Sequence, residues 1–493
     1  MDVGPWDTII KMTLSLLSTS SHPEFRPLPP ERLTRLEGWG MLARSMGYLY
    51  RPSTIDGVHA ALELAGETGR SLAPRGSGFS YGDASLNAEN IVLDTSRLSR
   101  VLDWNPVTGV IRVEPGVTIG QLWRHTLEDG WWPPVVPGTM YPTLGGCVST
   151  NVHGKNNRRA GTLGEHLLSL RLLLPSGAIV TCGPHQNRDI FLAVVGGLGM
   201  LGVVLELEMQ LQPVQSGLLR VEERAAPSLK EMFDLFEQQG DVAEYLVGWI
   251  DAFAGGAALG RGLVQLASAV EDDPHPAQTL RPAYQDLPDT LLGVVPRSTL
   301  WRGMKLTSGD AGMRALNSAR YTLGTRRSGR VMRAPLAQFH FMLDYVPNWK
   351  WAFRPRGILQ YQVFVPEAQA RAVFAALLGE SQHAGLLPHL AVMKRQRADP
   401  FLLRYSVDGY SLALDYHATQ ANEHRLRTML AGFTTEIAVP AGGRFYPAKD
   451  NALDGHGLRC SLTSEAMNEF MAIKRRLDPT EVLQSDLYRR VFG

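Results

Sequence analysis

The decapeptide PRGSGFSYGD, Pro74 to Asp83, constrains this chain more than any other stretch. Gly76, Gly78 and Gly82 let the backbone turn successive N–H groups toward a pyrophosphate, because no Cβ blocks the approach. Tyr81 stands where G-x-G-x-x-G requires its third glycine, and ASLNAENIVLDTS then reads as loop and strand, not helix. A phosphate site at a Rossmann helix N-terminus is therefore the wrong picture. Taken alone, the loop reads more readily as an ordinary glycine turn than as a nucleotide site.

The 493 residues suffice for roughly two to three domains. With 44% hydrophobic and 20% charged residues, the composition is that of a soluble globular protein. A net charge of +1 points neither to nucleic acid nor to an acidic membrane surface. Cys147, Cys182 and Cys460 are few, odd in number and far apart, which argues against a disulfide framework and against a metal site. IIKMTLSLL is too short to span a bilayer and is broken by Lys11; it also lacks the basic flank and cleavage site of a signal peptide. Residues 1–31 read as a flexible lead-in, and the expected location is cytoplasmic, with peripheral membrane contact open.

Apolar spacing predicts helices over Thr54–Gly69, Val117–Leu127 and Arg188–Val195, and strands at Ile91–Leu93, Val101–Trp104, Val110–Glu114 and Val203–Leu211. Leu170–Leu174 and Ala178–Cys182 flank PSG as a hairpin. Gly197, Gly199 and Gly202 do satisfy G-x-G-x-x-G, but helix precedes and strand follows, the reverse of a dinucleotide fingerprint. They read as a tight helix-to-strand turn that packs on a cofactor. From about Ser216 a second α+β region begins, with strands at Ile358–Val365, Leu390–Lys394 and Gly409–Tyr416. Its helices are expected at Ser228–Gln239, Met313–Leu323 and Glu367–Leu378, and its polar loop at residues 271–289 reads as disordered or as a mobile lid. A tail from Gly442 carries FYPAKD and a helix stopped at Asp478-Pro479.

The segments RLEGWG, PRGSGFSYGD, VVPGTMYPTLGG, NVHGKN, GGLGMLGVV, LQYQVFVP, FYPAKD and RRLDP, in this order, carry a family resemblance. The chain resembles flavin-dependent oxidoreductases of the vanillyl-alcohol-oxidase type, with a PCMH-type FAD domain, and among them sugar oxidases that form half of an epimerase. The resemblance implies an α+β fold in which a discontinuous, two-part FAD-binding domain flanks a central α+β substrate (cap) domain. Residues 32–213 would bind FAD, 214–441 would cap it, and 442–493 would return to the FAD domain.

The first loop, Pro74, Arg75, Gly76, Ser77, Gly78, Phe79, Ser80, Tyr81, Gly82 and Asp83, would cradle the pyrophosphate. Gly138, Thr143, Leu144, Gly145, Gly146, Thr150, Asn151, Val152, His153, Val203 and Tyr446 would complete the flavin site. Covalent attachment in this superfamily needs a histidine or a cysteine at two places where this chain has Phe79 and Tyr141, so the implied FAD is non-covalent.

Lys449 matches the lysine that the family places by flavin and substrate, where a cation is worth most; a solvated lysine paired with Asp450 is the plain alternative. Lys449, His153 and Tyr81 are the expected catalytic residues, with His153 touching flavin and shuttling protons as a neutral imidazole. G-K-N is no Walker motif, since Ser149 replaces its first glycine and Asn156 follows Lys155. Lys155 sits at the flavin face by resemblance, or instead binds an anionic group on the substrate. Gln360, Gln362, Lys394 and Ala413 match further substrate positions, Ala413 standing where the resembled sugar oxidases have a cysteine. Two glutamines two apart on a strand share a face, and amides that both donate and accept suit a hydroxyl-rich ligand; an exposed polar strand face is the plain alternative.

The expected reaction is oxidation of a secondary alcohol on a sugar, nucleoside, glycoside or polyprenyl-phosphate sugar, as the first half of an epimerisation that a partner NAD(P)H-dependent ketoreductase completes. Oxygen or a quinone would take the electrons; Val152, bulkier than the small residue that admits oxygen in related aldonolactone oxidoreductases, favours a quinone. A flavin-dependent C=C reductase resembling the sterol Δ24-reductases, and a silent flavin-binding protein, are the alternatives.

Overall fold

Thr54 accepts a hydrogen bond from the Gly57 amide at 3.1 Å and so opens the helix Ile55–Glu67. Val58, Ala61, Leu62 and Ala65 recur on one face and are buried against Leu72, Ile91 and Leu93 of the sheet beneath. Each fully buried Val or Leu contributes about 1.5–3 kcal/mol. In this computed structural model, which describes residues 27–240, 242–291, 293–449 and 452–493, Leu28 joins the same cluster at 5% exposure. The lead-in expected through residue 31 is thus core by Leu28, while IIKMTLSLL and Asp450 lie outside the described residues.

The first sheet orders Leu33–Glu37, Arg44–Tyr50, Ile91–Asp94 and Leu72–Arg75, and the last two run parallel. The strand Leu72–Arg75 therefore ends where the glycine loop begins. A second, antiparallel sheet orders Val101–Asn105, Val110–Val113, Val203–Gln210, Leu167–Leu173 and Ile179–Cys182. The hairpin around PSG pairs Leu170 with Cys182. Between the helix Arg188–Val194 and the strand Val203–Gln210 the chain reverses through Gly196, Leu198 and Gly199, all at positive φ.

The central region forms one eight-stranded sheet, ordered Val331–Pro335, Leu218–Ala226, Gly262–Ala269, Tyr245–Ile250, Pro388–Gln396, Gly409–Ala418, Gly357–Pro366 and Arg444–Phe445. Helices Leu229–Gln239 and Glu367–His383 cover one face, where Phe233 packs 4.8 Å from Tyr410 and 5.7 Å from Phe374. On the other face a cross-strand row runs Leu263, Trp249, Val392, Ala413, Gln362. That row is apolar at one end and polar at the other, and the polar end meets the glycine loops.

Two expectations are corrected. Residues 271–289 form no loose lid: helices Pro276–Thr279 and Pro282–Gln285 close around the fully buried Gln285. Its amide donates to the Gly217 and Thr279 carbonyls at 2.8 Å and accepts from the Ala337 amide at 3.0 Å. A buried amide with three partners pins the segment. The tail also starts later than Gly442, since Arg444 and Phe445 pair with Phe364 and Val363 as the sheet's last strand.

Beyond Phe445 the chain turns to the glycine loop, where the Tyr81 amide donates to the Ala448 carbonyl at 3.1 Å. Leu72 and Gln484 then exchange backbone bonds with the tail: Leu72 N–H to Val482 O at 2.7 Å, and Gln484 N–H to Leu72 O at 3.1 Å. Asp83 pairs with Arg490 at 2.7 Å. No helix among the described residues is long and apolar enough to cross a membrane.

Candidate active site

A cavity of about 340 Å³ opens between the two glycine-bearing segments and the central region. Pro74, Arg75, Gly76, Ser77, Gly78, Phe79, Ser80 and Tyr81 form one wall; Gly138, Thr143, Gly145, Gly146, Thr150 and Val152 form the facing one. Val203, Tyr446 and Lys449 reach it from elsewhere in the chain. The walls need their glycines. A Cβ on Gly76 would meet Thr143 Oγ1 at 2.0 Å, and one on Gly145 would meet Pro115 Cβ at 2.7 Å. The amides of residues 76–80 donate to no acceptor among the described residues, leaving a run of N–H groups for an anion. Thr143 Oγ1 is likewise buried without a partner.

Gly82, Asp83, Leu144, Asn151 and His153, expected at the cofactor, stand behind this lining. Asp83 is committed to Arg490, and Leu144 is fully buried in the core. The Asn151 side chain accepts from the Gly164 amide at 3.0 Å, and its carbonyl accepts from the Tyr405 hydroxyl. Arg75 lines the cavity, but its guanidinium donates to Ser85 and to the Glu37 carbonyl, so it braces the loop. Phe79 and Tyr141, stacked with centroids 6.0 Å apart, present rings rather than nucleophiles to the cavity.

Next to the lysine end of the cavity, the sheet brings Gln360, Gln362, Ala413 and Asp415 onto one face through the pairs Gln360–Asp415 and Gln362–Ala413. Gln360 donates to Asp415 Oδ1, and Gln362 donates to His153 Nε2 at 3.0 Å. Three acceptors, Gln360 Oε1, Gln362 Oε1 and Asp415 Oδ2, are buried without partners. Burial pushes the Asp415 carboxyl up to about 6, with Gln360 and Lys449 opposing. Burial raises the Tyr81 phenol well above its usual value and Asp415 raises it further, so it stays protonated.

Lys449 lies 5.8 Å from the Tyr81 ring centre, and burial lowers its ammonium while Asp415 supports it. Lys394 is lowered further by burial, then by Lys449 and Lys155. Neither Lys394 nor Lys449 makes a side-chain hydrogen bond to a described residue. Lys155 is turned away from this group: its ammonium donates to the Phe339 carbonyl and lies 4.1 Å from that ring's centre, and burial takes it down to about 7. His153 is enclosed by Phe364, Tyr405 and Tyr446 and is held neutral, chiefly by burial. It therefore supports Gln362 rather than facing the cavity.

Asp415 was absent from the sequence-derived set. The signal was present, because it lies two residues beyond Ala413 on the same strand face. Trp39, which lines the cavity 4.9 Å from the Tyr81 ring, and Asp344 on the opposite wall were also missed. Asp344 accepts from Thr139 Oγ1 at 2.6 Å and from the Met140 amide at 2.8 Å, a fixing of the second loop that no local pattern encodes.

A second chamber, of about 750 Å³, shares the wall Leu343, Val346 and Trp349 with the first and reaches Asp415. Trp249, Leu263, Met313, Leu316, Leu323 and Phe353 make it largely apolar.

Residues 47–183 match the family model described as FAD binding domain. The chain carries an FAD-binding domain of the vanillyl-alcohol-oxidase (PCMH) type, takes FAD as its cofactor and is an FAD-dependent oxidoreductase. Over 475 residues, 94% of this chain and 98% of the relative, it is 29% identical to decaprenylphosphoryl-beta-D-ribose oxidase of Mycolicibacterium smegmatis. It is 25% identical over 213 residues to a putative D-arabinono-1,4-lactone oxidase of Neurospora crassa, covering 43% of this chain and 37% of the relative. A D-lactate dehydrogenase of Anaerostipes hadrus is 22% identical over 178 residues, 35% and 37% of the two chains. The free amides at 76–80, the glycine walls and the orphan Thr143 hydroxyl fit a dinucleotide flavin.

Proposed function

We propose that the chain oxidises a secondary CH–OH group of a sugar-like substrate to the ketone. The observation that carries this reading is the set of three unpartnered buried acceptors facing two unpaired lysines. Hydroxyl donors of a polyol would satisfy Gln360 Oε1, Gln362 Oε1 and Asp415 Oδ2, each of which otherwise costs about 1–3 kcal/mol. FAD, when bound, supplies the hydride acceptor.

The loop amides 76–80, Gly145 and Gly146 hold the cofactor, and Phe79 and Tyr141 leave it non-covalent. Lys449 stabilises the negative charge that builds on the substrate oxygen as its proton leaves. Asp415, with its raised carboxyl, takes the hydroxyl proton directly or through Lys449. Tyr81, fully protonated, orients the substrate, and neutral His153 fixes the Gln362 amide so that its oxygen points to the ligand. Lys394 adds a donor for a further hydroxyl or an anionic group.

The apolar chamber beside Asp415 favours a substrate with an apolar portion, so a polyprenyl-phosphate sugar leads over a free sugar or nucleoside. Such a substrate resides in a bilayer, which brings peripheral membrane association with it. Val152 at the cavity favours a quinone over oxygen as electron acceptor, and a partner ketoreductase would turn the oxidation into an epimerisation.

Anaerobic mixing of the yellow protein with polyprenyl-phosphate sugars, sugars, nucleosides and glycosides tests the reading. Loss of the flavin band on addition of one alcohol class, with the ketone recovered in equal amount, supports it. Bleaching by NAD(P)H and by none of these alcohols overturns it in favour of a reductase.

A further inference from the structure

The net charge of +1 averages a very uneven distribution. Residues 297–356 contain twelve Arg or Lys, two Asp and no Glu, leaving 37 basic and 46 acidic residues elsewhere. The same segment builds the mouth of the apolar chamber, through the helices Leu300–Leu306 and Asp310–Arg327. Large apolar side chains face outward there: Leu306 is 90% exposed, Leu323 51%, Leu316 46% and Met342 38%. Leu316, Leu323 and Met342 also line the chamber, so its apolar interior continues onto the surface. Arg302, Lys305, Arg326 and Arg330 are exposed among them and form no ion pair with a described residue. Arg333 and Arg356, in the same segment, are instead paired with Asp272 and Glu423.

Exposed leucines interleaved with unpaired cations match the chemistry of an interface between water and anionic lipid. We propose that this rim docks on an anionic bilayer surface, with the cations among headgroup phosphates and Leu306, Leu316 and Leu323 in the interfacial layer. A nucleic acid would neutralise the charge but leave the leucines in water. An apolar protein groove would cover the leucines but leave Arg302, Lys305, Arg326 and Arg330 unmatched. Docked this way, the chamber mouth opens into the lipid, and an amphiphile enters without exposing its tail to solvent.

The test is co-sedimentation of the full chain with vesicles of pure phosphatidylcholine and of phosphatidylcholine containing about one third phosphatidylglycerol. Binding is expected only to the anionic vesicles and should fall steeply in ~0.5 M NaCl, where screening is short-ranged. The variant Lys305→Glu/Arg326→Glu/Arg330→Glu should lose about a hundredfold or more in partitioning, since each surface cation is worth roughly fivefold. Leu306→Ser should bind severalfold more weakly while keeping its salt sensitivity. Thermal melting confirms that both variants fold. Equal binding to neutral vesicles, no binding to either, full retention by the triple variant, or tighter binding to duplex DNA would each overturn the proposal. Vesicle binding does not depend on flavin reduction, so a protein that sediments with anionic vesicles yet oxidises no alcohol refutes only the proposed reaction.

Discussion

Lys449 holds its ammonium 5.8 Å from the centre of the Tyr81 ring, and the Tyr81 amide donates to the carbonyl of the neighbouring Ala448. The first glycine loop and the C-terminal tail, far apart in sequence, are thus joined by a backbone hydrogen bond at the wall of the cavity. Lys449→Ala removes the oriented cation without touching that backbone bond. It should cut the rate of flavin reduction by ~10²–10³ while flavin content stays unchanged, read by stopped-flow absorbance and by the protein-to-flavin ratio.

Asp415 gives the pH dependence its sign. A base whose carboxyl titrates at about 6 is protonated and idle below that pH, so kcat/KM should fall on the acid side with a limb near 6. Asp415→Asn should abolish that limb together with most of the activity. For stability the direction reverses. The folded carboxyl titrates above its unfolded value, so its neutral form adds stability below about pH 4 that is lost as pH rises through about 6. Asp415→Asn should therefore stabilise the fold at pH 8 by roughly 1–3 kcal/mol, read as a higher melting temperature, and leave stability unchanged at pH 4.

Gly76 is required by a contact and not by its torsion. Gly76→Ala drives a methyl into Thr143 Oγ1 and should lower bound flavin at least tenfold, measured as absorbance per mole of purified chain. Adding Thr143→Ala should restore part of it. Gly66→Ala is the control: nothing lies within 4 Å of its Cβ position in the helix Ile55–Glu67, so it should keep its flavin and gain about 1 kcal/mol.

The tail is locked by Lys474 and Asp478, an ion pair whose side chains are 0% exposed. Lys474 also donates to the Met200 carbonyl at 2.9 Å and the Leu483 carbonyl at 2.7 Å, joining the tail to the turn before the strand Val203–Gln210. Lys474→Met strands a buried carboxylate and should cost about 3–5 kcal/mol in denaturant unfolding. Because the same tail carries Lys449, flavin should dissociate at lower denaturant than in the parent.

Phe79 and Tyr141 face the cavity where a linking nucleophile would stand. Trichloroacetic acid should leave a white pellet and a yellow supernatant. Colour retained in the pellet would show a covalent flavin and shift attention to another side chain.

Much of the fold was legible locally. The helix Ile55–Glu67, the PSG hairpin and the order of helix, turn and strand around Gly197 follow from periodicity and turn chemistry, which act over a few residues. The boundary at Gly442 and the looseness of residues 271–289 did not survive, since one depends on a two-residue edge strand and the other on a single buried glutamine. Composition alone cannot see either.

The sequence by itself determined where the backbone carries no Cβ, at Gly76 and Gly78, and so where a close approach is open; the structure decided that those positions form a cradle. The sequence also determined which strand faces are polar, because side chains alternate with a period of two. Only the tertiary structure decided that Lys155 turns to Phe339, that His153 stands behind Gln362, and that Asp415 joins Lys449 and Tyr81. Those outcomes are set by burial and by partners hundreds of residues away, and the energy of a buried charge depends on its neighbours rather than on its own identity.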